Sequence, residues 1–138
     1  VTLTDAGPLI ALLDKGDEHH RASHAAASRT LPHSSMLTTW ACFTEAMYVL
    51  GEIGGYRYRA ALWELRSRGT LRLHDLSQAE VDRAAELMHK YADVPMDLGD
   101  ATLVAAAEHL RLRQIFTFDH HFRIYRMPDG SVLEMVPG

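Results

Sequence analysis

The segment Val1-Thr2-Leu3-Thr4-Asp5-Ala6-Gly7-Pro8-Leu9-Ile10-Ala11-Leu12-Leu13 changes character at its middle. Val1 to Thr4 is a short β-prone run. Asp5 to Pro8 turns it into a helix carrying Leu9, Ile10, Leu12 and Leu13. Pro8 suits a first helical turn, where a missing N–H costs nothing. The same alternation recurs along the chain. A helix ending near Ser28 precedes the strand Met36–Thr39, and residues 40–53 form a strong helix closed by Gly54-Gly55. A further helix spans 56–68, with Gly69 as its C-terminal cap. Leu71-Arg72-Leu73-His74 alternates like a strand. Ser77 with Glu80 three residues on forms a capping box for a helix running to about Tyr91. Asp97 or Asp100 starts the next helix, Gln114–Phe118 reads as a fourth strand and Val132–Val136 as a weaker fifth. Strands separated by helices require parallel crossovers with helices on both faces. The predicted fold is α/β, a three-layer α/β/α sandwich with a central parallel sheet of four to five strands.

At 138 residues and 47% hydrophobic, the chain has the size and composition of one globular domain, residues 1–138. Its apolar runs are too short for a membrane span, and no signal pattern opens it, so the expected location is the cytoplasm. One cysteine, Cys42, excludes an internal disulfide framework and a CxxC zinc site. The net charge of −4 hides two basic islands. Residues 57–72 hold five arginines against Glu64, and residues 111–126 hold four against Asp119. An acidic body with arginine islands suits a phosphate-bearing partner, although solvated helix faces give the same pattern.

Ligands in parallel α/β sheets bind beyond the carboxyl ends of strands. Asp5 follows the first strand and Asp119 the fourth, while Asp97 and Asp100 stand i, i+3 at the start of the preceding helix. Glu45 is the only formal charge between Pro32 and Glu52, which predicts a carboxylate on a buried helix. Each aspartate also suits a helix N-cap, and Glu45 also suits an apolar outer surface. If the acids converge, each close pair repels by roughly 4 kcal/mol at an effective dielectric near 20. A cation must offset this, and hard oxygen donors select Mg²⁺ or Mn²⁺, the ions of phosphodiester hydrolysis.

The competing readings are weaker. His20 and His24 stand i, i+4 and His120-His121 adjoin Asp119, but HExxH is absent. A phosphatase with an Asp after strand one needs a lysine near the late strands, whereas the two lysines are Lys15 and Lys90. A non-enzymatic interaction module would use the acids only as caps.

Four segments carry a resemblance. They are Thr4–Asp14, Thr39-Trp40-Ala41-Cys42-Phe43-Thr44-Glu45-Ala46, Pro95-Met96-Asp97-Leu98-Gly99-Asp100-Ala101 and Thr117–Arg126. In this order they resemble the PIN-domain family, more narrowly the VapC-type toxin ribonucleases of bacterial toxin–antitoxin pairs. The resemblance implies an endoribonuclease with a catalytic quartet at Asp5, Glu45, Asp100 and Asp119, and with Asp97 as a further acid at the Mg²⁺ or Mn²⁺ site. It favours Asp100 over Asp97 as the core ligand and makes Thr117 a supporting hydroxyl. It also implies an RNA substrate, a VapB-type antitoxin and a homodimer. A housekeeping RNA-processing nuclease is the alternative role. Arg123 and Arg126, just past Asp119, are the first candidates for RNA binding. Tyr48, Tyr56, Tyr58, Leu62 and Trp63 on two consecutive helices are candidates for an interface.

Overall fold

The computed structural model describes residues 1–30 and 33–138. Strand β1 (Thr2–Thr4) leads into helix α1 (Ala6–Leu13) and then α2 (His20–Thr30). Strand β2 (Met36–Thr39) is followed by α3 (Trp40–Gly54) and α4 (Tyr56–Ser67). After β3 (Leu71–His74) come α5 (Gln78–Lys90) and α6 (Leu98–Leu110), then β4 (Gln114–Phe116), a 3₁₀ turn (His120–Arg123) and β5 (Glu134–Val136). The five strands form one sheet in the order β3-β2-β1-β4-β5, and every pairing is parallel.

Right-handed crossovers set α1 to α4 on one face and α5 and α6 on the other. In keeping with this, α1 packs on α2 and α3, α3 on α4, and α5 on α6. The chain leaves β1 in one direction towards β2 and later returns to β4 on its other side. This reversal makes the crevice between the carboxyl ends of β1 and β4 the natural ligand position.

Local sequence explains the element ends. The Ser77–Glu80 capping box forms as expected. Gly55, at φ 69°, occupies the left-handed turn between α3 and α4. Two strands are shorter than expected. β4 stops at Phe116 because the Thr117 hydroxyl accepts the Asp119 N–H at 3.0 Å, a local turn that competes with the ladder. β5 begins only at Glu134, because Asp129 closes a turn by accepting the Ser131 N–H at 2.9 Å. His20 Nδ1 lies 2.6 Å from the Ala11 carbonyl and His24 Nε2 3.1 Å from that of Leu12, so both rings tie α2 to the last turn of α1.

The core runs through β1, β2 and α6, where every residue from Asp100 to Ala107 is buried. α3 corrects an expectation, since it is not buried all round. Cys42, Phe43, Ala46 and Leu50 face the core, whereas Trp40, Tyr48 and Ile53 are exposed, and so is Glu45. Burial pushes the Cys42 thiol well above its ordinary pKa, in keeping with an inert core residue. No helix among the described residues is long and apolar enough to cross a membrane.

Candidate active site

Asp5 ends β1 and caps α1, its Oδ1 accepting the Ala6 N–H at 2.8 Å. Its Oδ2 accepts the Thr117 hydroxyl proton at 2.7 Å. Thr117 is fully buried and, through the bond that ends β4, ties Asp5 to the backbone of Asp119. One hydroxyl therefore couples the carboxyl ends of the two strands at the reversal point. Thr117→Val keeps the shape but leaves two buried polar partners short of a bond. It is expected to cost about 1–3 kcal/mol of stability, with Thr117→Ser recovering most of it. Chemical denaturation checks this, and a Val variant as stable as the parent contradicts it.

Asp97 and Asp100 differ in helix position. Asp97 is exposed and caps α6, its Oδ1 accepting the Asp100 N–H at 2.8 Å. Asp100, one turn in, is 5% exposed and turns its Oδ2 to the Tyr125 hydroxyl, which donates at 2.7 Å. Thr39, at the end of β2, and Thr102 of α6 share a hydrogen bond of 2.8 Å, which fixes the start of α6 beside that of α3. A Cβ on Gly99 would stand 3.4 Å from both Asp97 Oδ1 and Cys42 Sγ, and 3.7 Å from Glu45 Oε2. These are ordinary van der Waals distances, and they place the Glu45 carboxylate beside the start of α6. Glu45 stands at the rim of the site and not inside the core.

These groups perturb one another. Burial raises the pKa of Asp5, and the charges of Asp119 and Asp97 add to the rise, while the Thr117 hydrogen bond opposes it. Glu45 is also raised, first by partial burial of its carboxyl end and then by the charges of Asp5, Asp97 and Asp119. Asp100 is pushed up to about 8 by burial, against the lowering effect of Tyr125 and with the help of the Asp97, Asp5 and Asp119 charges. Among the described residues, none of Asp5, Glu45, Asp97, Asp100 and Asp119 is paired with a lysine or arginine. A crowd of carboxylates with no cationic side chain, reluctant to ionise together, has the donor chemistry of a site for a divalent cation.

Two residues join the site beyond the predicted acids: Tyr125, which carries no sequence signal, and His121, whose one signal is its adjacency to Asp119. Tyr125 is buried and packs edge-on against Tyr91 and Phe122, which sets its hydroxyl on Asp100. His121 folds back over Asp119, with Nδ1 3.2 Å from Asp119 Oδ1. Ligand atoms of Asp100, Asp119 and His121 all lie within 4.8 Å of one another. Asp5, Glu45 and Asp97 fall outside that tightest group, although their charges reach it. Phe118, between Thr117 and Asp119, stacks on His19 with ring centres 4.1 Å apart, which braces the loop after β4. Arg123 and Arg126 are exposed at the end of the 3₁₀ turn, and among the described residues neither is in an ion pair.

No family model matches the sequence. Among curated proteins, ribonuclease VapC26 of Mycobacterium tuberculosis is 26% identical over 138 residues, covering 98% of this chain and 99% of the relative. The crystal structure of M. tuberculosis VapC20, a sarcin–ricin loop cleaving toxin, superposes with a TM-score of 0.78 at 18% identity over 86% of this chain and 90% of the other. A toxin–antitoxin complex from Klebsiella pneumoniae gives a TM-score of 0.64 at 22% identity, over 99% of this chain and 100% of the other. VapBC2 of Rickettsia felis, bound to a promoter DNA fragment, gives 0.70 at 13% identity, over 97% and 96%. The structural likenesses show a shared fold. The end-to-end sequence likeness to a VapC ribonuclease and the fold shared with VapC toxins make the chain similar to VapC-type proteins.

Proposed function

We propose that the chain is a metal-dependent endoribonuclease and the toxin of a toxin–antitoxin pair. The observation that carries this reading is the set of five acids at one sheet edge, with raised pKa values at Asp5, Glu45 and Asp100 and, among the described residues, no lysine or arginine paired with them. Asp5, Asp100 and Asp119 are the holding carboxylates, with Asp97 and Glu45 beside them. A bound Mg²⁺ or Mn²⁺ supplies positive charge to the phosphate oxygens and makes a water more acidic. The chain's own residues orient the reaction. The Ala6 N–H and the Thr117 hydroxyl fix the two oxygens of Asp5, and the Tyr125 hydroxyl fixes Oδ2 of Asp100. Glu45 is exposed at the rim, and its elevated pKa suits Oε2 to take a proton from the attacking water. The water oxygen bonds to phosphorus, the P–O ester bond breaks, and the leaving oxygen ends protonated.

The likeness to a ribonuclease and the shared fold with a toxin that cleaves the sarcin–ricin loop favour a structured RNA as substrate. An acidic site repels RNA at long range, so positive charge must stand beside it. Among the described residues Arg123 and Arg126 are in no ion pair, and both are exposed a few residues past Asp119, which suits them to phosphate contacts. Arg123→Ala and Arg126→Ala are each expected to lower the slope of log affinity against log salt by roughly one unit. An unchanged affinity and slope in the double variant contradicts this placement.

The partner reading rests on the surface between α3 and α4. Trp40, Tyr48, Tyr56 and Trp63 are exposed and, with Phe43, Met47 and Arg59, line a groove of about 460 Å³ whose wall includes Thr44, next to Glu45. We assign this groove to an amphipathic segment of a VapB-type antitoxin, and self-association to the same pair of helices. Purified protein with RNA and Mg²⁺ or Mn²⁺ should give discrete fragments, and Asp5→Asn and Glu45→Gln should lose them by orders of magnitude. Equal cutting by both variants overturns the assignment. Co-expression with the neighbouring small open reading frame tests the partner, and failure of that product to co-purify or relieve growth arrest counts against it. Light scattering tests the homodimer, and a species of 15.5 kDa alone at tens of micromolar contradicts it.

A further inference from the structure

The residue that the carboxylate chemistry leaves without a part is His121. Asp119 caps the 3₁₀ turn with Oδ1, which accepts the His121 N–H at 2.9 Å. This bond folds the His121 backbone towards the carboxylate, and the imidazole returns over the same oxygen with Nδ1 at 3.2 Å. The neighbouring His120 is exposed and takes no part in the group. Asp100, Asp119 and His121 each offer one ligand atom, and these atoms lie within 4.8 Å of one another. Ligands on opposite sides of one ion, bound at about 2.0–2.6 Å, stand about 4.0–5.2 Å apart, so a single cation spans a group of this size. The His121 side chain is 49% exposed and that of Asp119 35%, so an ion has a path from solvent. No lysine or arginine among the described residues occupies the position in its place.

We propose that His121 is a nitrogen ligand that completes, with Asp100 and Asp119, a mixed imidazole–carboxylate cation site selecting Mn²⁺ over Mg²⁺. This rests on the metal-dependent reading above and deepens it by naming the ion. Mg²⁺ is hard, keeps its waters and takes oxygen donors. Imidazole favours first-row transition ions, and Mn²⁺ combines acceptance of imidazole with a taste for carboxylate and water. One imidazole among carboxylates therefore tilts the site towards Mn²⁺ without excluding the oxygen chemistry that phosphate requires.

Pulsed EPR of the Mn²⁺-loaded protein reads the ligand directly, because a coordinated imidazole imposes nitrogen modulation on the manganese signal. The wild type and His120→Ala are expected to show that modulation, and His121→Ala to lose it while still folding, since the ring is half exposed. Calorimetric titration with MnCl₂ and MgCl₂ gives the second readout. His121→Ala should weaken Mn²⁺ binding by about tenfold or more and Mg²⁺ binding by less than about twofold. Mn²⁺ bound without nitrogen modulation in the wild type, or with modulation that survives in His121→Ala, overturns the role of His121 and leaves the carboxylate site standing. Absence of any Mn²⁺ or Mg²⁺ binding overturns the metal-dependent reading itself, and the His121 role with it.

Discussion

Asp100→Asn is expected to lower RNA cleavage by about three orders of magnitude while raising the melting temperature of the metal-free protein in alkaline buffer. Both effects come from one cause. Asp100 is 5% exposed and lies among the charges of Asp97, Asp5 and Asp119, so the fold without a cation resists its ionisation. Its folded pKa, about 8, stands above the ordinary 3.8. A carboxyl raised in this way binds its proton more tightly in the folded state, so its contribution to stability is complete below the unfolded pKa and is lost as pH rises through the folded one. The parent protein therefore weakens between about pH 4 and pH 8, and Asn, which never ionises, does not. Asn also keeps an acceptor for the Tyr125 hydroxyl, so the packing around α6 survives. Melting curves of the two proteins in chelator should diverge as pH rises. Parallel curves contradict the account of a strained acid cluster.

The second large effect concerns the cation. Chelation is expected to abolish cleavage, and adding Mn²⁺ at a hundred times its Kd should stabilise the fold by about 2.7 kcal/mol. Because Asp100 retains a proton that the ion must displace, binding should release protons into the buffer. Apparent affinity should then climb by up to about tenfold per pH unit for that proton until the pH passes about 8. Calorimetry in buffers of different ionisation enthalpy counts those protons. A pH-independent affinity with no proton release contradicts the raised pKa values and with them the reason for the site.

The fold is legible in the sequence because β1, β2 and β3 are each followed by helices, which forces parallel crossovers, and because Ser77–Glu80 and Gly55 punctuate the chain by known backbone chemistry. Asp5 and Asp119 are legible for the same reason, since they follow β1 and β4. Glu45 is legible as a singular charge, but not its surroundings. Apolar residues around a helix look alike whether they face a core or, as with Trp40, Tyr48 and Ile53, face outward. Asp97 and Asp100 stay ambiguous in the sequence because either suits a cap, and only a helix beginning at Leu98 makes one the cap and the other the inward acid. His121 lies beyond β4 in a 3₁₀ turn and Tyr125 in the irregular segment after it, neither of which has a period to read. Their places are set by tertiary contacts with Asp100, Asp119 and Tyr91, which local pattern does not encode.

The central claim is that the acid cluster directs water, held by a divalent cation, against an RNA phosphodiester. The chemistry of the cut end tests it most directly. A substrate carrying a single 2′-deoxynucleotide at the mapped cut site should be cleaved as fast as the all-ribose RNA, and no 2′,3′-cyclic phosphate should form, because water and not the neighbouring 2′-hydroxyl attacks phosphorus. Loss of cleavage at the deoxy site, with cyclic phosphate ends on the ribose substrate and activity that survives chelation, would mean that the 2′-hydroxyl is the nucleophile. Side chains such as His120 or His121 would then move the protons, and the carboxylates would not be the catalytic centre.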